Sequence, residues 1–167
     1  MANNNKRTIE YDVDGYDVIT EALKTLLNEY PALTKGQQIK FNTLDENSGI
    51  SMFPLSGAII ERKTKDILGR TTEICQYPFY VIARYGHLSE TRKINTKEWL
   101  DNLGRWLERQ TITIGNTNYT LTGYPALTQN RRFIEIRRTT PAALNAINNN
   151  NTEDWAISIV ARYENQY

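Results

Sequence analysis

Two stretches of this chain end alike: YPFYVIARYG, residues 77–86, and WAISIVARYE, residues 155–164. Each runs apolar residues into an Ala-Arg-Tyr triplet, Ala83-Arg84-Tyr85 and Ala161-Arg162-Tyr163. Superimposing the triplets aligns Phe79 with Ile157, Val81 with Ile159, Ala83 with Ala161 and Tyr85 with Tyr163. All four pairs fall on the apolar face under period-two alternation, and Arg84 and Arg162 fall on the other. The intervening sequence is long and dissimilar, and no period of 20–50 residues recurs, which argues against a solenoid. Shared environment, rather than duplication, explains the match. These are two strands of one sheet, each burying one face beneath helices. Their arginines project from the opposite face, where Glu61, Glu73 and Glu135 are candidate partners across strands.

The helices are read from a 3.6-residue period. Val18, Ile19, Ala22, Leu23, Leu26, Leu27 and Tyr30 place one apolar stripe on a helix near residues 15–30, roughly 23 Å long. Asp14 is the expected cap, Asp17 suits the positive end of the dipole, and Pro31 helps end the helix. A second helix is expected over INTKEWLDNLGRWLERQ. Asn95 and Glu98 form a capping box, Ile94 can staple against Trp99, and Trp99, Leu100, Leu103, Trp106 and Leu107 are the buried stripe. Gly104 within it costs about 1 kcal/mol relative to alanine and points to a close neighbour.

The remaining elements read as strands and turns. QIKFNTL (38–44) predicts a short strand with Ile39 and Phe41 on one side. LDENSG is a turn. A strand runs through Ala58–Lys63, a turn follows around Lys65–Arg70 with Gly69, and a returning strand reaches Tyr85. Pro78 lacks an N–H, so that strand is expected to bend or bulge there, or to begin at Phe79. TITIGNTNYTLTGYP carries β-branched residues around a Gly-Asn turn. RRFIEIRR predicts a strand with Ile134 and Ile136 on one side and Phe133 and Glu135 on the other. PAALNAI suggests a short helix after Pro141, and an Asn-rich loop is expected over 145–153. Residues 1–13 are expected to be extended or flexible. Hairpin-length connections favour a single α+β domain over 1–167, an antiparallel sheet with two main helices on one face.

Composition narrows the function. The chain has 167 residues, of which 40% are hydrophobic and 23% charged, as in a globular domain large enough to need no disulfide or metal staple. Its net charge is only +1, from 20 basic and 19 acidic residues, which does not suit a dedicated duplex-DNA binder. There is one cysteine, Cys75, and one histidine, His87. No internal disulfide can form, and the start of the chain has no apolar run of a secretion signal. A soluble cytoplasmic product is expected, with no membrane span.

No catalytic set is legible. His87 follows a strand with no nucleophile signature around the candidate serines, and Cys75 reads as a small core residue. Soft ligands are too few for structural zinc, and neither a P-loop nor a dinucleotide fingerprint occurs. DVDG (12–15) resembles the start of a calcium loop, but its continuation is helical, so it reads as a cap turn. No enzyme, metal or cofactor is expected. Arg131, Arg132, Arg137 and Arg138 flank FIEI as a basic strip that faces an acidic neighbour or nucleic acid, or else as a solvated edge strand guarded against aggregation. Arg62, Lys63, Lys65 and Asp66 of the KTKD turn pose the same choice. Ten tyrosines are compatible with interfaces or with single-stranded nucleic acid, but Tyr30, Tyr85 and Tyr163 lie on apolar faces.

Four segments in order carry a resemblance: Phe53-Pro54 with Ser56-Gly57; Lys65-Asp66-Ile67-Leu68-Gly69; Phe79 to Arg84; and Trp106-Leu107-Glu108-Arg109-Gln110. Over roughly residues 16–164 the chain resembles small minor capsid or tail-completion proteins, the tail terminators of tailed phages and prophages of Gram-positive bacteria. The resemblance implies a tail-terminator-like α+β fold and a homo-oligomeric ring, usually a hexamer, on the last ring of tail-tube subunits. Its implied partners are itself, the tail tube protein, a head-tail connector or neck protein, and a sheath where the tail is contractile. Its implied place is the head-proximal end of the tail, assembled in host cytoplasm. It implies no catalytic residues. A head-completion or neck role stands beside this one, and a nucleic-acid-binding adaptor is a further alternative. A ring subunit needs two complementary surfaces, and balanced charge allows opposite signs on opposite flanks. The expected contact residues are Arg62, Lys63, Lys65, Asp66, Arg84, Arg131, Arg132, Arg137, Arg138 and Arg162.

Overall fold

In the computed structural model, which describes residues 8–87 and 89–167, the two Ala-Arg-Tyr strands are hydrogen-bonded neighbours. In chain order the elements are α1 (Val13–Leu27), β1 (Ile39–Phe41), β2 (Gly49–Pro54), β3 (Ile59–Lys65), β4 (Thr71–Tyr85), α2 (Glu90–Leu107), β5 (Ile112–Ile114), β6 (Thr117–Tyr119), β7 (Arg131–Ile147) and β8 (Glu153–Gln166). The main sheet runs β1-β2-β4-β8-β7, with β3 also paired to β4. Its pairs are antiparallel except β1 with β2, which are parallel. The fold is therefore α+β, as the pattern implied. Strand β2 had no separate sequence signal, because its Phe53-Pro54 end blends into the following turn.

Strands β4 and β8 pair from Thr72 opposite Gln166 to Tyr85 opposite Glu153. Being antiparallel, they place their triplets at opposite ends: Ala83 faces Trp155, and Ala161 faces Tyr77. Arg84 and Arg162 share a sheet face but are far apart along it. Cys75, Tyr77, Phe79, Val81 and Ala83 alternate into the core with Ile157, Ile159, Ala161 and Tyr163.

Both helices cover that same face. In α1, Thr20 reaches Tyr77 of β4, Oγ1 to OH 2.8 Å, with Ile19, Leu23, Leu26 and Leu27 buried around it. In α2, Leu100, Leu103, Trp106 and Leu107 are buried, and Gly104 lies over Ile157 of β8. A Cβ at Gly104 would stand 2.3 Å from Arg138 Cδ, so the glycine permits the close approach of α2 to β7. Tyr30 links the helices: its hydroxyl donates to the Trp99 carbonyl at 3.0 Å, and its ring meets the indole edge-on at 5.1 Å.

Several local expectations are corrected. Helix α1 is capped by Asp12, which accepts from Gly15 N–H, and Asp14 lies within its first turn. Helix α2 is capped by Ser89, which accepts from Arg92 N–H, so Asn95 and Glu98 are interior rather than a capping box. Its first turns are polar and exposed, so apolar periodicity could not mark them. Ile94 is exposed rather than stapled into the core. Pro78 neither bends nor ends β4: pairing with β8 continues through it. Its carbonyl accepts from Leu55 N–H at 3.0 Å, so the missing donor points to the junction where β4 changes partner from β2 to β3.

Strand β7 departs most. Residues 141–147 continue the strand opposite Ala156–Glu153, overturning the expected helix after Pro141. Edge pairing with β8 overrides local propensity, and Pro141 sits where the register shifts, as prolines in sheets do. The bulged Ala142 turns its N–H to Asp101 Oδ1, 2.8 Å away on α2. A further bulge between Phe133 and Glu135 puts Phe133 and Ile136 together in the core and leaves Ile134 exposed. The asparagine turn is correspondingly shorter than 145–153: β7 ends at Ile147 and β8 begins at Glu153. Of the expected N-terminal segment, residues 1–7 lie outside the described residues.

Candidate subunit interface

The ten expected contact residues fall into two sets. The first is tied into the fold. Arg131 is 8% exposed and holds Asp12, with Nε to Oδ2 2.9 Å. The Tyr163 hydroxyl donates to the same Oδ2 at 2.7 Å, while Oδ1 caps α1. This buried node joins the start of α1 to β7 and β8. Burial alone would raise the Asp12 carboxyl, but the hydrogen bonds from Arg131 and Tyr163, the Arg131 charge and the Gly15 N–H outweigh it and hold the group below the usual carboxylate range. Arg138 similarly holds Glu108, Nε to Oε1 2.8 Å, and its backbone N–H donates to the same oxygen. Arg84 grips Asp154 through two bonds, 2.7 and 2.8 Å. Arg162 bridges Glu135 at 3.0 Å and Glu61 at 3.1 Å, as the cross-strand reading anticipated. Glu73 does not join them.

Glu73 instead roots the β3–β4 hairpin. It accepts from Tyr167 at 2.7 Å and pairs with Lys63 at 2.9 Å. Its burial, which favours the neutral acid, is outweighed by these donors and Asn165, so its carboxyl also lies low. Beyond this root every residue from Glu61 to Arg70 is exposed. Asp66 organises the tip: its Oδ1 accepts from Leu68 N–H and Arg70 N–H, each at 2.9 Å, and its Oδ2 from Arg70 Nε. Gly69 supplies the positive φ of +87° that closes the turn. Asp66 thus scaffolds the tip. The residues it presents, Ile67 and Leu68, are 102% and 76% exposed. Charge density had drawn attention to their neighbours and away from them. A KDILG turn between two strands already places both apolar side chains at a solvent-facing tip.

The second set of residues is accessible. Arg62 and Lys65 make no ion pair among the described residues, and Lys63 is half exposed beside Glu73. Arg132 reaches Glu164 at 2.7 Å while 77% of its side chain stays exposed, and Arg137 lies 3.5 Å from Glu135. Strands β3 and β7, two of the sheet's outer strands, are therefore basic. The acidic surface is α1, whose exposed side carries Asp14, Asp17 and Glu21, with Glu29 exposed just past its end. Facing away from both helices, β2, β4 and β8 present Phe53, Pro78, Tyr80, Ile82 and Ala156, all only partly buried.

Other sequence candidates remain unremarkable. Cys75 is buried, and burial pushes its thiol up to about 12, far from a reactive thiolate. His87 is exposed after β4. Among the described residues no three His, Cys, Asp or Glu side chains are placed to hold a metal ion, and no helix is long and apolar enough to cross a membrane. No protein-family model matches the chain, and comparison with curated proteins finds no match.

Proposed function

We propose that this chain is a non-catalytic virion assembly protein, a tail terminator that forms a ring on the tail tube, stops its polymerisation and joins it to the head connector. The observation that carries this reading is the hairpin tip. The Lys65–Gly69 segment, one of the four that carry the resemblance, is a turn hydrogen-bonded through Asp66 that displays two apolar side chains to solvent. Exposed apolar groups held in one conformation suit docking, because little entropy is lost when they are covered. The partly apolar sheet face without a helical layer offers a second surface for the tube or connector. The nucleic-acid alternative loses its main support, since Arg131, Arg132, Arg137 and Arg138 each lie beside a carboxylate.

Negative-stain images of particles produced without this chain test the reading. Overlong tubes, or tails lacking heads, are expected. Tails of normal length that lack heads would favour the neck role, and normal particles would refute both.

A further inference from the structure

The acidic side of α1 and the basic β3–β4 hairpin lie on different elements of one chain and are opposite in sign. Residues 61–70 carry Arg62, Lys63, Lys65 and Arg70 against Glu61 and Asp66. Residues 13–29 carry Asp14, Asp17, Glu21 and Glu29 against Lys24 alone. Each has an apolar companion: Ile67 and Leu68 at the hairpin tip, and Val13, 77% exposed, one turn before Asp17 on α1. The exposed carboxylates of α1 form no ion pair within the described residues, apart from Glu21 with Lys24 at 3.8 Å. Among the described residues, that pair is the only ion pair of this helix face.

We infer that the occupant of the α1 face is a second copy of this chain, whose hairpin lays Lys65 against Asp17 and Glu21 and its Ile67-Leu68 tip against the apolar start of the helix. This inference rests on the ring reading above and names its contact. The two surfaces differ, so the contact is heterologous, and repetition closes a ring or extends a filament. Opposite charges set partner and orientation, while the apolar tip supplies contact area. The two basic sheet edges disfavour the competing arrangement, in which β3 of one copy extends the sheet at β7 of the next.

Sedimentation velocity of the full chain, with circular dichroism and melting as controls, tests this. The wild type is expected to self-associate, more weakly at high salt. Lys65→Glu and Asp17→Lys/Glu21→Lys should each raise the dissociation constant about tenfold. Mixing the two variants should restore association, because each then meets a surface of opposite sign. Ile67→Ser/Leu68→Ser, which alters no internal contact, should weaken association without changing the melt. Variants that associate like the wild type, or a mixture that stays dissociated, would overturn the contact while leaving a ring by other surfaces standing. A wild type that remains monomeric both alone and on tube tips would overturn the contact and the ring together.

Discussion

Arg131 and Arg62 look alike in sequence, each in a basic run on a strand, yet they belong to opposite kinds of surface. Arg131 is buried on Asp12 and Tyr163, where an unpaired charge would be costly. Arg62 is exposed on an outer strand and makes no ion pair among the described residues. Strand parity and the place of the nearest carboxylate decide between them. Arg131 points to the helix face, where the cap of α1 waits. Arg62 points into solvent beside an apolar tip. A run of basic residues therefore does not define an interface, and reversal of charge at Arg131 would test folding rather than assembly.

The sharpest way to break this contrast is Arg131→Ala. It strands the Asp12 carboxylate and should cost about 3–5 kcal/mol in a denaturant titration, whereas Arg62→Ala should change stability by less than about 0.5 kcal/mol. Equal effects would dissolve the distinction. Next in size is Asp101→Ala, which leaves the Ala142 N–H without its acceptor and should cost about 1–3 kcal/mol by the same titration. Gly104→Ala should also destabilise, despite a helix-propensity gain of about 1 kcal/mol, because its Cβ would strike the Arg138 stem held by Glu108. A more stable Gly104→Ala protein would show that α2 can lift away from β7.

Acid should separate the two regions as well. The Asp12, Glu73, Asp101 and Glu108 carboxyls all lie below their usual values in the folded chain. Groups lowered on folding stabilise fully above their unfolded pKa values, about 4, and that contribution is lost as pH falls through the folded values. The melting temperature should hold near neutrality and drop below about pH 4, with Arg131→Ala showing a shallower drop. The smallest expected effect is that of Ile67→Ser/Leu68→Ser, whose melt should match the wild type.

Much of the fold could be read from periodicity. The apolar faces of β4, β8 and α1 were legible because their core-facing apolar side chains recur at 2 or 3.6 residues. Strand β7 was not, because its bulges break that alternation: Ile134 leaves the core, and the Ala-rich end after Pro141 imitates a helix while pairing as an edge. The start of α2 was hidden because its first turns bury little. In the candidate interface, dense charge pointed to the hairpin, whose residues are exposed. It also gathered Arg84, Arg131, Arg138 and Arg162, whose carboxylate partners come from distant segments that only the folded chain brings near.

Complementation with the hairpin variant tests the central claim most directly. Particles lacking this chain are supplied with Ile67→Ser/Leu68→Ser protein, shown by its melt to be folded, and tail lengths and head attachment are measured in negative stain. The account predicts overlong or headless tails, as if no protein had been added. Particles of normal length carrying heads would contradict it.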